Sequence, residues 1–231
     1  MKKMLEKNEL LFCMFIILVY ILINSYCIQN FGIDDYRSTI INTVFSISLI
    51  ILIIVLKRTE YYGLVKVTNL KDYLYFIPLV FIVSVNLWNG INVNNKIGEI
   101  IFHILTMINI GFIEEIIFRG FLFKMLAKDN IQKAIIISAI TFGIGHIVNL
   151  LNGADLFPTL MQVCYAISIG YLFVIIFYKS KSLIPCIITH ILFNSLSIFN
   201  IENGISLYVS SLFLIVFPIF YAIYINKKIK D

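Results

Sequence analysis

Apolar runs of roughly 20 residues recur along nearly the whole length of this chain, and no other feature limits its fold as strongly. Such a run has the length of a membrane-spanning α-helix, whereas a barrel strand needs only about ten residues. Because lipid offers no hydrogen-bond partners, the backbone must satisfy its own polar groups. The composition agrees, since 60% of the residues are hydrophobic and 13% are charged. The sequence therefore predicts an all-α, polytopic membrane bundle and excludes a soluble domain.

We predict about eight transmembrane helices in this bundle. The connections are short, no linker is rich in Pro, Gly or Ser, and no internal repeat is evident, so residues 1–231 are expected to form a single integral membrane domain. The fourth run is long for a bilayer, so its first part is expected to be interfacial, with His103 there as a polar rather than a catalytic residue. The predicted spans are 10–29, 39–57, 73–91, 97–126, 131–150, 158–178, 183–200 and 205–226.

The basic residues divide very unevenly between the two ends of these spans. With the amino terminus placed in the cytoplasm, the outer loops hold only Arg37 and Lys96, and Arg119 lies within a span. All other basic residues then fall on the cytoplasmic side: Lys2, Lys3, Lys7, Lys57, Arg58, Lys66, Lys71, Lys124, Lys128, Lys133, Lys179, Lys181, Lys227, Lys228 and Lys230. Since cytoplasmic loops carry an excess of Lys and Arg, both termini are predicted to be cytoplasmic. The net charge of +5 follows from this topology and implies no nucleic-acid partner.

Three charged residues lie in the middle of the fourth run, at Glu114, Glu115 and Arg119. Each charge costs on the order of 2.5 to 3.5 kcal/mol to insert at bilayer depth. Glu115 and Arg119 are four residues apart on one helix face and are predicted to form a salt bridge, which suits a structural role as well as a functional one. Glu114 is rotated by about 100° from Glu115, so it needs a different partner.

Two later runs each carry a histidine. His146 follows Gly143 and Gly145, and these glycines are expected to let another helix approach closely. His190 and Asn194 share a helix face at positions i and i+4. Each feature alone is typical of a hydrogen-bonded packing residue, but polar groups on three spans are expected to converge. The rise per residue places them toward the bilayer middle, in one cavity whose side of opening the sequence leaves undetermined.

The order of these motifs resembles the type II CAAX prenyl endopeptidase family. This family is also called the CPBP or Abi family, and it contains CaaX proteases and bacteriocin-processing or self-immunity proteins. The resemblance covers about residues 97–200, whereas the other spans match the family only in number. All three motifs are intact: Glu114, Glu115 and Arg119; Phe142 and His146; His190 and Asn194.

The resemblance implies an intramembrane endopeptidase and a role for each motif residue. Glu114 and His146 would activate a water that attacks a peptide carbonyl. His190 and Asn194 would donate hydrogen bonds to the resulting oxyanion. Glu115 and Arg119 would orient the site.

A metal ion is a second implication of the resemblance. Glu114, His146 and His190 are candidate ligands of Zn²⁺, although the chain lacks the H-E-x-x-H helix of many zinc proteases. A zinc site and a metal-free site both remain open, and no organic cofactor is expected. The four cysteines contain no C-x-x-C pair and are expected to be buried hydrophobes rather than metal ligands.

The sequence does not decide among three classes of substrate: a lipidated protein, a leader peptide or another small membrane peptide. The richness in Ile, Lys and Asn is typical of an AT-rich bacterial genome, so we expect a multi-pass protein of the bacterial cytoplasmic membrane and no strict CaaX processing. The bilayer is an expected partner, and the oligomeric state is undetermined.

Two other classes of function compete with proteolysis. One is a non-catalytic membrane scaffold or bacteriocin self-immunity factor with the same fold, against which the intact motifs argue. The other is a small transporter that uses the glutamates and histidines as a proton or cation relay. The absence of a two-fold hydropathy repeat argues against transport.

Overall fold

The computed structural model describes residues 7–67, 74–201 and 204–229. Over these residues the protein is all-helical, without any β-strand. The predicted all-α class is therefore confirmed. Four basic residues that entered the predicted charge distribution lie outside the described residues: Lys2, Lys3, Lys71 and Lys230.

Eight helical segments make up the described part of the chain, and we number them α1 to α8 in chain order. Polar side chains cap some of them, since Asn8 Oδ1 accepts from the Leu11 N–H at 3.0 Å before the first helix. The segments are α1 Glu9–Phe31, α2 Tyr36–Val55, α3 Leu74–Leu87, α4 Ile97–Leu126, α5 Ile131–Leu150, α6 Leu156–Ser180, α7 Ile184–Phe199 and α8 Gly204–Lys228.

Six of these segments are long and apolar enough to cross a bilayer, whereas α3 and α7 are shorter. The number of helical segments agrees with the prediction; α7 lies within one residue of the predicted span 183–200, whereas α3 ends four residues before the predicted end at residue 91. In α7, a proline in the first turn, Pro185, fixes the start of the helix, where its missing N–H is tolerated. In α3, a turn at Pro78 precedes the regular α-helical part, Leu79–Ser84. Such a break interrupts the helix although the sequence around it remains apolar, so hydropathy alone does not predict it.

The basic end of the bundle gathers the start of α1 and three connections. Lys128, between α4 and α5, donates from Nζ to Glu9 Oε2 at 2.5 Å. The Leu183 N–H, between α6 and α7, donates to the Gly63 carbonyl between α2 and α3 at 2.8 Å. Consecutive helices therefore alternate in direction, as the distribution of basic residues predicts.

The opposite end of the bundle gathers the remaining connections. Gln29 at the end of α1 donates from Nε2 to the Leu151 carbonyl, which follows α5, at 3.2 Å. The Asn92 N–H, between α3 and α4, donates to the Phe199 carbonyl at the end of α7 at 2.8 Å. The bundle thus has two chemically distinct ends.

The centre of the bundle is built around α4 and α6. In each, 56% of the most apolar stretch is buried, compared with 28% in α1 and α8. An added Cβ on Gly143 would lie 2.3 Å from Ile167 Cγ1, so α5 and α6 approach each other closely only because of this glycine. The nearest atom to a Cβ on Gly145 is 4.0 Å away. The predicted close approach is therefore confirmed at Gly143 and is wrong at Gly145.

The middle of α4 is wound as a π-helix over Ile116–Phe123, and all of its residues are buried. This segment directly follows Glu115 and contains Arg119. Local π-helical windings are frequent at functional sites. The departure from α-helical winding therefore falls on the charged motif itself.

The cysteines are free thiols, and three of them, Cys13, Cys27 and Cys186, are buried as predicted. The prediction is wrong for Cys164, which is exposed. Cys164 lies four residues after Leu160, whose side chain is also exposed, so both belong to one outward-facing stripe of α6.

Candidate active site

A fully buried ion pair lies at the base of the site. Arg119 Nη1 is 3.1 Å from Glu115 Oε1, and neither side chain is exposed. The salt bridge predicted from the i, i+4 spacing is therefore confirmed. His190 Nδ1 lies 2.8 Å from the same carboxylate oxygen, so the pair extends from α4 to α7.

The Arg119 guanidinium is held as much by aromatic rings as by hydrogen bonds. Its Cζ lies 4.1 Å from the centroid of the Phe142 ring and 5.6 Å from that of Phe173. Its Nε and Nη2 atoms are buried without a hydrogen-bond partner among the described residues. Attraction to the ring faces offsets part of the cost of burying this charge. A Cβ on Gly170 would lie 3.3 Å from Arg119 Nη2, so that glycine leaves room for the guanidinium.

Glu114 points away from Glu115 and finds its partners on other helices. The Tyr20 hydroxyl of α1 donates to Glu114 Oε1 at 2.5 Å. Glu114 Oε2 lies 3.3 Å from His190 Nε2. The separate partner that the helical geometry requires is thus a buried tyrosine, which the motif analysis missed. One tyrosine among 13, on a helix without any motif, gives no signal in the sequence.

His190 lies between the two carboxylates. Because the Glu115 carboxylate is paired with Arg119 and can only accept, His190 Nδ1 carries a hydrogen and donates it. In the neutral imidazole, Nε2 then has a lone pair, and Nε2 donates only in the imidazolium form. Glu115 therefore fixes the orientation of the ring and the tautomer of its neutral form.

His146 is oriented by its own helix. Its Nδ1 lies 3.1 Å from the Phe142 carbonyl oxygen, which can only accept, so Nδ1 is the donor. The neutral ring consequently keeps its lone pair on Nε2. The imidazole also makes an edge contact with the Phe142 ring at a centroid distance of 5.2 Å. These contacts leave Nε2 as the nitrogen that is able to take up a proton.

Four of the predicted site residues surround two connected cavities. A cavity of about 450 Å³ is lined by Glu114, His146 and Asn194, together with Tyr20. A smaller pocket of about 40 Å³ shares His146 and Asn194 and adds His190. Glu115 and Arg119 line neither and lie behind the cavity wall. A carboxylate, two imidazoles and an amide around two adjoining spaces can bind a water and polarise a carbonyl.

His103, which is predicted to be an interfacial polar residue, has a buried side chain. Its Nδ1 lies 2.7 Å from Asp34 Oδ1, and its Nε2 lies 3.1 Å from the Asn194 carbonyl oxygen. His103 thus ties the connection after α1 to the backbone of α7 at a predicted site residue. The sequence spacing places His103 on the face of Glu114 but does not reveal these partners.

The three candidate metal ligands do not form a metal-binding group in this geometry. Among the described residues, no three or more His, Cys, Asp or Glu side chains are placed to hold one ion. His190 Nδ1 is committed to Glu115, and its Nε2 lies 3.3 Å from Glu114 Oε2. The described residues as arranged therefore do not fit a resident zinc ion.

The fold and the site together define a multi-pass, all-helical membrane protein with ionisable side chains gathered around an internal cavity. Residues 96–196, which span α4 to α7, match the family model described as type II CAAX prenyl endopeptidase Rce1-like. This part of the chain is therefore similar to the Rce1-like type II CAAX prenyl endopeptidases, the family that the motifs also resemble. Comparison with curated proteins and with solved structures gave no match.

Proposed function

We propose that this protein is an intramembrane endopeptidase that hydrolyses a peptide bond of a small membrane-associated peptide or protein. One observation supports this most directly: Glu114, His146 and Asn194 line one cavity, and His190 joins them in the adjoining pocket. We place both termini in the cytoplasm because of the asymmetry of the basic residues. We assign the enzyme to the cytoplasmic membrane of a bacterium because its composition is rich in Ile, Lys and Asn.

In the proposed reaction, Glu114 and His146 Nε2 hold a water in the cavity. Glu114 accepts one proton from this water while the water oxygen attacks the carbonyl carbon of the scissile bond. The carbonyl oxygen becomes an oxyanion in a tetrahedral intermediate. When the C–N bond breaks, the proton passes to the nitrogen of the leaving amine, which leaves a carboxylic acid and an amine as products.

The oxyanion is assigned to His190 and Asn194. Preorganised donors aimed at a developing oxyanion contribute a large share of the catalysis of acyl transfer. The Asn194 amide donates in any state, whereas His190 Nε2 donates only as the imidazolium, because Nδ1 is committed to Glu115. Glu115 and Arg119 act as positioning residues, since they hold His190 and do not line the cavity.

The test compares wild-type protein with Glu114→Gln and His146→Ala in reconstituted membranes that contain a peptide library. Quantitative mass spectrometry is expected to find products from the wild type and a rate about 10²- to 10⁴-fold lower in Glu114→Gln, because the general base is lost. Glu60→Gln is the matched control, since Glu60 is an exposed glutamate at the basic end. Assays with and without a chelator test the zinc alternative on the same preparation.

A different outcome would favour the scaffold or self-immunity function. In that case no peptide is cut, and Glu114→Gln still supports whatever phenotype the wild-type gene confers. A transporter would instead lose a pH-dependent flux in Glu114→Gln without any cleavage in the wild type. The Glu114→Gln variant therefore distinguishes a protease, a scaffold and a transporter.

A further inference from the structure

The cavity at Glu114 extends toward only one end of the bundle. Phe118, one turn beyond Glu114 toward the basic end, and its ring partner Phe142 form the floor of the cavity. The other lining residues lie between the level of Glu114 and the end opposite the basic connections. Asn24 of α1, Asn149 of α5 and Leu207 of α8 belong to those terminal turns. Ala154 and Pro158, at the start of α6, line the cavity and are themselves exposed, so its mouth lies there.

Toward the basic end the interior is closed by packed side chains. The π segment Ile116–Phe123 and the neighbouring stretch 172–177 of α6 are buried throughout. Aromatic pairs fill this half, among them Tyr62 with Phe121 at a centroid distance of 4.9 Å and Phe123 with Phe177 at 5.9 Å. Of these residues only Phe118 lines the cavity, and Phe173 lines the small adjoining pocket. A substrate therefore has a route to Glu114 from the opposite end and none through the basic end.

The distribution of charge relates these two ends to the membrane. Among the described residues, Arg37 and Lys96 are the only basic ones at the end where the cavity opens. All others except the buried Arg119 lie at or near the closed end, in the start of α1, the end of α8 and the three connections there. Since the end rich in Lys and Arg faces the cytoplasm, the cavity opens away from it.

We propose that the substrate enters the site from the extracytoplasmic face of the membrane and is an uncharged peptide segment. This inference deepens the proposed proteolytic function and rests on it for the identity of the ligand as a substrate. Apart from Glu114, no described residue that lines the cavity is Asp, Glu, Lys or Arg. Six of its polar side chains are primary amides: Asn24, Asn86, Asn149, Gln162, Asn194 and Asn200.

These amides suit a peptide backbone better than a charged headgroup. Each primary amide offers donors and an acceptor, which match the N–H and C=O groups of an extended chain. A charged side chain would enter this space without a counter-charge other than the catalytic glutamate, and its burial without a partner is costly. Entry from this face also excludes a lipidated chain terminus that is presented from the cytoplasm.

The opening is tested first by cysteine labelling, which does not depend on turnover. In a Cys164→Ala parent the three other cysteines are buried. Single cysteines are introduced as Ser210→Cys in the cavity, Leu212→Cys on the exposed apolar face of the same helix, and Lys133→Cys at the basic end. Ser210 lies about 9 Å along α8 from its start, so labelling there requires water within the cavity. A charged, membrane-impermeant maleimide is added to intact bacterial cells and then to permeabilised ones.

We expect Ser210→Cys to be labelled in intact cells, Lys133→Cys only after permeabilisation, and Leu212→Cys in neither, because lipid suppresses the thiolate. Addition of Glu114→Gln to the Ser210→Cys protein should leave the labelling unchanged. The inference is overturned if Ser210→Cys reacts only after permeabilisation, or not at all in a protein whose Lys133→Cys variant labels normally.

A second arm examines the substrate with intact spheroplasts and inverted membrane vesicles. Uncharged peptides are expected to be cleaved outside spheroplasts that carry the wild type but not Glu114→Gln. Placing Lys or Asp beside the scissile bond should lower the rate by roughly tenfold or more. Cleavage confined to inverted vesicles would refute outer entry while the proposed protease function stands. Labelling from outside without any cleavage would refute the protease and leave the direction of opening established.

Discussion

At the scale of single residues, the contact between Tyr20 and Glu114 has the most direct consequence for activity. Tyr20 is buried, and its hydroxyl is the only side-chain donor, apart from His190, that the described residues bring to the Glu114 carboxylate. It comes from α1, 94 residues before its partner and outside the segment that matches the family. Tyr20 therefore acts as a positioning residue for the proposed general base.

Removal of the Tyr20 hydroxyl should slow turnover without weakening substrate binding. A hydrogen bond to a charged group contributes about 1.5 to 3 kcal/mol, and about 1.4 kcal/mol corresponds to a tenfold change in rate. We expect Tyr20→Phe to lower kcat by about tenfold or more and to leave KM nearly unchanged. Tyr26→Phe, on the exposed face of the same helix, is the control. An equal rise in KM, or a purely thermal defect, would show that Tyr20 only packs.

The Glu115–Arg119 pair separates structural from catalytic roles. Loss of one partner from a buried ion pair costs about 3 to 5 kcal/mol, whereas replacement of both by apolar residues costs far less. We expect Glu115→Leu and Arg119→Leu each to lower the free energy of unfolding strongly, and the double variant to regain much of it. Activity should stay lost in the double variant, because His190 Nδ1 no longer has its acceptor.

Thermal unfolding in detergent and peptide cleavage provide the two readouts for these variants. A stable double variant with wild-type kcat would mean that the pair serves the fold alone. Glu115→Gln, with Arg119 in place, differs from Glu115→Leu because the glutamine carbonyl can still accept from His190. A Glu115→Gln protein that is more stable and more active than Glu115→Leu is therefore consistent with the proposal.

At the scale of helices, the position of His146 depends on the contact between α5 and α6. This contact is closest at Gly143, where an added Cβ would meet Ile167 Cγ1 at 2.3 Å and the Ile167 backbone nitrogen at 2.7 Å. The backbone atom cannot rotate away, so a side chain here must push the two helices apart. Because Gly143 lies one turn before His146, any such shift moves the imidazole relative to Glu114.

We expect Gly143→Ala to destabilise the protein by about 1 to 3 kcal/mol, the usual cost of overpacking, and to lower cleavage further than the loss of folded protein explains. Gly145→Ala in the same helix should unfold close to the wild-type temperature, since its nearest neighbour is 4.0 Å away. Equal melting temperatures for the two variants would contradict the assignment of the close contact. Circular dichroism and a specific-activity measurement provide the comparison.

At the scale of the whole molecule, the sequence predicts most of the fold and part of the site. Hydropathy predicts an all-helical membrane bundle, and the positions of Lys and Arg predict the alternation of helices that the connections at each end bear out. The motifs identify Glu114, His146, His190 and Asn194 as a group because each carries a large insertion cost. The ion pair of Glu115 with Arg119 follows from helical spacing alone.

Other features depend on contacts that no local pattern records. The partner of Glu114 lies on a helix without a motif, and the partners of His103 lie on the connection after α1 and on α7. The shortening of the regular part of α3 follows from the turn at Pro78 within an apolar stretch. The direction in which the cavity opens depends on which half of the bundle is packed solid, a property of the assembled helices rather than of any one of them.

The solidly packed half has a consequence for the cell as well as for the reaction. Hydrolysis at the site needs water at mid-membrane depth. A continuous aqueous path through the bundle, however, would let ions leak across the bilayer and dissipate their gradients. Each elementary charge that crosses a potential of 100 mV dissipates about 2.3 kcal/mol. Because the buried residues 116–123 and 172–177 close one side, water can reach Glu114 without reaching the other face. The half of the bundle without candidate catalytic groups thus acts as an electrical insulator, as the proposed hydrolase requires inside an energised membrane.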